Sequence, residues 1–136
     1  SNVTFLPVQP FERVGDFFNA ADMLIVPMNE PHLVGTLPVK IYDAMACELP
    51  VLVAATGEPR WLVEDSRAGI AVDPADYESM RQAILTLRSD PDLRQRYGNN
   101  GRRAAVERYA LDIQIERFVR AFAAVQAPPK PAPKRI

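Results

Sequence analysis

A chain of 136 residues, 48% hydrophobic and 24% charged, supplies one core of domain size and excludes a second. Sixteen Lys and Arg stand against seventeen Asp and Glu, a net charge of −1, which excludes a nucleic-acid binder held by a general phosphate field. A single cysteine, Cys47, and a single histidine, His32, exclude an internal disulfide framework and a cysteine-rich metal site.

Ser1–Pro10 has no basic stretch followed by an apolar one, so it does not read as a secretory signal. No apolar run approaches the roughly 20 residues of a membrane-spanning helix. Val3–Pro7 is the first strand-like run. Pro10 then opens a helical pattern carried by Phe11, Val14, Phe17, Phe18 and Ala21. Met23–Pro27 and Val51–Ala55 are continuously apolar, as expected of parallel strands covered on both faces, and Gly69–Val72 is a fourth strand. Between them Leu37, Ile41, Ala44 and Met45 repeat at helical spacing after Pro38, and Pro59–Glu64 reads as a short helix. Trp61 and Phe11 read as core residues, and Cys47 as a small buried one.

The pattern beyond residue 73 is wholly helical. Asp76 is a suitable N-cap for a helix with Met80, Ile84 and Leu87 on one face. Asp90-Pro91 opens a second helix, which Gly98 is expected to close; Asn99–Tyr109 and Asp112–Val125 complete the run. These helices, the last carrying Ile115, Phe118, Val119 and Phe122, are expected to cover a face or edge of the sheet. Residues 127–136, APPKPAPKRI, hold four of the thirteen prolines and three basic residues, and read as a disordered tail to a domain over 1–126. The fold class is therefore α/β, a Rossmann-like parallel sheet flanked by helices with a helical C-terminal run.

The stretch 35–54, GTLPVKIYDAMACELPVLVA, is placed to carry chemistry. A ligand site in an open parallel sheet lies beyond the carboxyl ends of the strands, where a loop meets a helix start. Gly35-Thr36 falls there, and the free N–H groups of a first helical turn suit an anion. Thr36, Lys40 and Asp43 share a helix face, with Asp43 about 10 Å further along the axis. That is roughly the distance from a phosphate to the ribose hydroxyls of one nucleotide, which a carboxylate accepts. The same three residues also fit the solvated stripe of an amphipathic helix.

Four stretches, that one among them, carry a resemblance in chain order. "NVTFLP" is similar to a V-x-F-x-G strand, "FFNAADMLIVPM" to Y-x-x-A-D-V-x-V-x-P-S, and residues 35–54 to G-x-P-x-K-x-x-E-A-M-A-x-G-x-P-V-V-A. "GEPRWLVEDSRAGIAVDPAD" is similar to G-G-x-x-E-x-V-x-D-G-x-x-G-x-L-V-x-P-x-D. Over residues 2–125 the chain thus resembles the later part of the C-terminal, nucleotide-sugar-binding domain of family 4 retaining glycosyltransferases. The resemblance implies donor binding: Gly35, Thr36 and Leu37 at the diphosphate and sugar hydroxyls, Lys40 at a phosphate, and Asp43 at the ribose. It implies transfer of a sugar to a glycan or lipid-linked acceptor with retention, no cofactor besides the nucleotide-sugar substrate, and no metal. The Thr56–Pro59 turn opens onto the same crevice, which makes Gly57 a further donor contact.

The departures are specific. The first acid of the family's acid-x7-acid motif falls on Gly35, and Glu30 is the nearest acid; His32 lies in the same loop. Asp43 is one methylene shorter than the family's glutamate. The family glycine between helix and strand is Glu48, which costs on the order of 1 kcal/mol if that position is left-handed. Measured against the family, the opening of the domain and the N-terminal acceptor domain are missing, so the fragment is expected to be inactive alone. Its Met23–Val26 strand is left as an open apolar edge, which implies a homo-oligomer through that edge or rearranged pairing of Val3–Pro7. The implied setting is cytoplasmic, at the inner face of the plasma membrane. Two alternatives compete: a nucleotide-sugar 2-epimerase-like enzyme of the same architecture, and a non-catalytic α/β interaction module.

Overall fold

The computed structural model describes residues 2–28 and 36–126. Its sheet has three parallel strands in the order β1 (Leu24–Pro27), β2 (Val51–Ala54) and β3 (Gly69–Val72), with Leu24 opposite Val51 and Val51 opposite Gly69. The Rossmann-like α/β class expected from sequence is the observed one. The central strand explains its own composition: all four residues of VLVA are buried, because helices cover both faces. Alternate residues serve opposite cores. Val51 and Val53 join Val26 under α2 (Lys40–Ala46) and α3 (Glu58–Ser66), whereas Leu52 and Ala54 join Val72 under α4 (Tyr77–Ser89).

A 3-10 turn at Phe11–Arg13, capped by Pro10, leads into α1 (Val14–Ala20), as the proline anticipates. Asp76 caps α4 by accepting from the Ser79 amide at 3.0 Å, and Asp90 caps α5 (Pro91–Ala104) by accepting from the Leu93 amide at 2.8 Å. A π-helical turn, Ala105–Tyr109, joins α5 to α6 (Leu111–Gln126).

Two connections from helix to strand use one device. At the end of α2 the Leu49 amide donates to the Ala44 carbonyl and the Glu48 amide to that of Met45. At the end of α3 the Ala68 and Arg67 amides do the same to Val63 and Glu64. Both are Schellman closures with the left-handed residue followed by a buried apolar one. That residue is Glu48 (φ 59°) in the first and Arg67 (φ 51°) in the second, so the left-handed geometry suspected at Glu48 is present and occupied by a side chain glycine would spare.

Four expectations need correction. Val3–Pro7 forms no strand, and Val3, Phe5 and Leu6 are exposed. Apolar composition makes a strand only where a neighbouring ladder receives it, and β1 is an edge of the sheet among the described residues. Gly98 does not close a helix. It sits buried inside α5, where a Cβ would lie 2.0 Å from the Glu48 carbonyl oxygen, so the glycine serves a close approach of two backbones. Trp61 and Phe11 are not core residues, being 52% and 85% exposed, and Cys47 is half-buried at the α1–α2 groove rather than buried. Finally α6 does not cover the sheet: every residue from 115 to 125 is exposed. The tail at 127–136, read as disordered from sequence, lies outside the described residues.

Candidate functional site

The carboxyl ends of the three strands deliver Pro27-Met28, Ala54-Ala55 and Val72-Asp73 to one side of the sheet. There the turn after β2 runs through Gly57, at φ 68° and ψ −141°, a conformation essentially reserved for glycine. Its carbonyl accepts the Trp61 amide at 3.0 Å, and nothing lies within 4 Å of where a Cβ would stand, so the turn faces open space. The adjoining start of α3 is fixed from below. The Arg60 guanidinium donates to Glu64 and to Asp73 at the end of β3, and these hydrogen bonds hold it more firmly protonated than an ordinary arginine.

On the β1 side α2 begins one residue after Val39, with the Pro38 carbonyl accepting the Ile41 amide at 3.1 Å. Thr36 and Lys40 are exposed, and Leu37 is half-buried against the core under α2. Gly35, Glu30 and His32 lie outside the described residues. Asp43 is half-buried and turned away from the core, which α2 meets with Ile41, Ala44 and Met45. It stands on a ridge between two grooves. One, of about 380 Å³, runs between α2 and the π-helical turn past Tyr42, Ala46, Val106 and Tyr109. The other, of about 290 Å³, runs between α2 and α1 past Val14 and Phe18. Thr36, Leu37, Lys40 and Gly57 line neither. The structure thus brings Asp43 to the helix surface and Gly57 to the end of the sheet, without joining them in one cavity.

Several participants escaped the sequence. The Tyr42 and Tyr109 rings meet at 5.2 Å and 57°, and burial, reinforced by Tyr109 and Glu58, pushes the Tyr42 phenol above its ordinary pKa. The Arg108 guanidinium lies over the Tyr109 ring and pairs with Asp65, whereas Arg102 donates to the Ala46 carbonyl at the end of α2. From sequence the run Arg94, Arg96, Arg102 and Arg103 reads as a solvated face, and Arg102 does stay exposed while bonding that carbonyl. The π-helical turn, which no local pattern announces, brings Arg108 alongside Tyr109 and Asp65. Among the described residues no group of three or more His, Cys, Asp or Glu is placed to hold a metal, and no helix is long and apolar enough to cross a membrane.

A family model described as glycosyl transferases group 1 matches residues 1–104. The chain belongs to this family. Among group 1 relatives, a D-inositol 3-phosphate glycosyltransferase of Mycobacteroides abscessus is 34% identical over 137 residues, covering 96% of this chain and 29% of that protein. An alpha-maltose-1-phosphate synthase of Mycolicibacterium smegmatis is 27% identical over 125 residues, covering 87% and 31%. The solved sucrose-phosphate synthase of Thermosynechococcus elongatus superposes with a TM-score of 0.74 at 26% identity, covering 90% of this chain and 31% of that one. The chain therefore spans about three-tenths of the length of these glycosyltransferase relatives.

Proposed function

We propose that this chain is the nucleotide-sugar donor-binding part of a glycosyltransferase that works with retention, acting from the cytoplasmic side on a glycan or lipid-linked acceptor. The observation that carries the reading is the coincidence of two features. Its 34% identity to an inositol-phosphate glycosyltransferase runs along nearly the whole chain. Within that length, the Gly57 turn and the start of α2 both stand at the carboxyl ends of a parallel sheet, where open α/β sheets take nucleotides.

In this reading Gly35, Thr36 and Leu37 offer backbone amides to the diphosphate, Lys40 adds a positive charge, and Gly57 lets the backbone approach the donor. Asp43, on the ridge between the two grooves, accepts hydrogen bonds from the ribose hydroxyls. During transfer the bond between the anomeric carbon and the phosphate oxygen breaks, negative charge grows on the departing diphosphate, and an acceptor hydroxyl oxygen bonds to the same face as its proton passes to the departing phosphate oxygen. Amides and an ammonium aimed at that charge are worth more in the transition state than in the ground state. The acceptor is held by the rest of the enzyme, and from this chain Glu30 and His32 are the candidates for orienting the transferred sugar.

Isothermal titration of the chain with UDP, GDP and UDP-glucose tests the reading. Binding of at least one nucleotide is expected, weakened roughly 10- to 100-fold by Asp43→Ala, the value of a hydrogen bond to a charged group. Absence of heat with every nucleotide, or equal affinity in the variant, overturns it.

A further inference from the structure

A diphosphate that settles beside Gly57 meets an end of the sheet that also carries acids. Two follow β3, Asp73 and Asp76. Asp76 spends its carboxylate on the Ser79 amide and hydroxyl at the start of α4. Glu58, in the first turn of α3, lies on the α2 side, where its charge acts on the Tyr42 phenol. Asp73 stands nearest the end of the ladder. The Ala55 amide donates to the Val72 carbonyl at 3.2 Å and carries the β2–β3 pairing one step past Ala54, so Asp73 is level with Ala55, two residues before Gly57. With strands about 4.8 Å apart, an anion at the turn is within roughly 10 Å of Asp73, close to the screening length of about 8 Å at physiological salt. The residue cannot swing away as a whole, because its carbonyl accepts the Asp76 amide at 3.1 Å.

We propose that Arg60 is a positioning residue of the donor site: it takes up the Asp73 carboxylate, and by doing so fits the end of β3 and the Gly57 turn to a diphosphate. The inference rests on the donor-binding reading. Arg60 Nη1 donates to Asp73 Oδ1 at 2.5 Å and Nε to Glu64 Oε1 at 3.0 Å, so one guanidinium joins the end of β3 to the first two turns of α3 and offsets charge on both acids. Gly57 has no side chain with which to cap α3. The turn is held instead by its own carbonyl on the Trp61 amide, by the buried Pro59, and by the reach of Arg60 across to β3. The Asp73 and Glu64 side chains are 72% and 53% exposed, so the two ion pairs contribute little to the stability of the fold. Their effect falls on what docks beside them. Without Arg60 an incoming diphosphate meets an unopposed carboxylate within a screening length; with it, the same carboxylate is bonded and its charge offset.

Isothermal titration of the full chain with UDP and GDP, with uridine and guanosine as competitors, tests the assignment. The parent is expected to hold the diphosphate more tightly than its nucleoside. Arg60→Ala is expected to weaken the diphosphate about 10-fold and to leave the nucleoside within about 2-fold, because the nucleoside carries no charge for Asp73 to repel. Adding Asp73→Asn to Arg60→Ala is expected to recover at least half of that loss on a logarithmic scale. Arg60→Lys, which keeps the charge but not the fork, is expected to stay within about 3-fold of the parent. Diphosphate affinity equal in Arg60→Ala and the parent overturns the assignment. So does equal weakening of diphosphate and nucleoside, the mark of a displaced α3, and so does a double variant that recovers nothing. An Arg60→Ala chain that fails to fold also overturns it, since the tie then serves the fold. A parent chain that binds neither nucleotide overturns the donor-binding reading itself, and this assignment with it.

Discussion

Replacing Gly98 by alanine decides whether the packing of α5 against the end of α2 is correctly described. On helical propensity alone the substitution stabilises, because alanine exceeds glycine by about 1 kcal/mol inside a helix. The tertiary structure reverses the sign. The new methyl would stand 2.0 Å from the Glu48 carbonyl oxygen and 2.9 Å from its carbon, more than about 1 Å inside a normal C···O contact. The obstacle is backbone, and it is held by the Schellman closure at Glu48. Nor can α5 retreat freely, since Arg102 and Asn100 tie it to the carbonyls of Ala46 and Arg67. Overpacking of this kind costs about 3 kcal/mol, leaving a net loss of about 2 kcal/mol and a fall in melting temperature of roughly 8 °C. Gly101→Ala is the control, because its methyl would meet only Ala68 and Met45 side chains at 3.3 Å, and a change near zero is expected. Urea unfolding of the three proteins measures the difference. A Gly98→Ala variant as stable as the parent, or more so, refutes the close approach.

Glu48→Gly relieves the left-handed strain at the end of α2, offset by the greater freedom of glycine in the unfolded chain; a gain of about 0.5 kcal/mol in the same urea assay is expected. Asp76→Ala should lower the melting temperature near neutral pH. The Ser79 hydroxyl and amide hold the Asp76 carboxyl below its ordinary pKa, so its contribution is present above the unfolded value of about 3.9 and lost as pH falls through the folded one. The gap between variant and parent should therefore close in acid, and a gap independent of pH contradicts the cap. Tyr42 behaves in the opposite sense. Its phenol is raised by burial, so its contribution holds below about pH 10 and is lost as pH rises through the folded value; Tyr42→Phe should resist alkaline unfolding better than the parent.

What the sequence determined by itself is what neighbouring residues decide. Asp76 and Asp90 opened their helices because a cap answers amides within the next turn, and Pro10 opened its own because its fixed φ suits a helix start. The continuous runs at Met23–Pro27 and Val51–Ala55 announced parallel strands; Val51–Ala54 is buried on both faces as expected, whereas edge strand β1 buries only Val26 fully and leaves Ile25 and Pro27 exposed. The ordered motifs from residue 2 to 125 disclosed the family and indicated Asp43 and Gly57. Tertiary structure decided the rest. Whether Val3–Pro7 became a strand depended on a ladder elsewhere in the chain, and whether Gly98 ended a helix or admitted a neighbour depended on Glu48, fifty residues earlier. The stripe on α6 has the same periodicity whether it faces a core or water, since helical repetition records which side is apolar and not what lies opposite it. The larger groove beside Asp43 exists because a π-helical turn carries Tyr109 and Val106 across α2, a juxtaposition made by long-range packing.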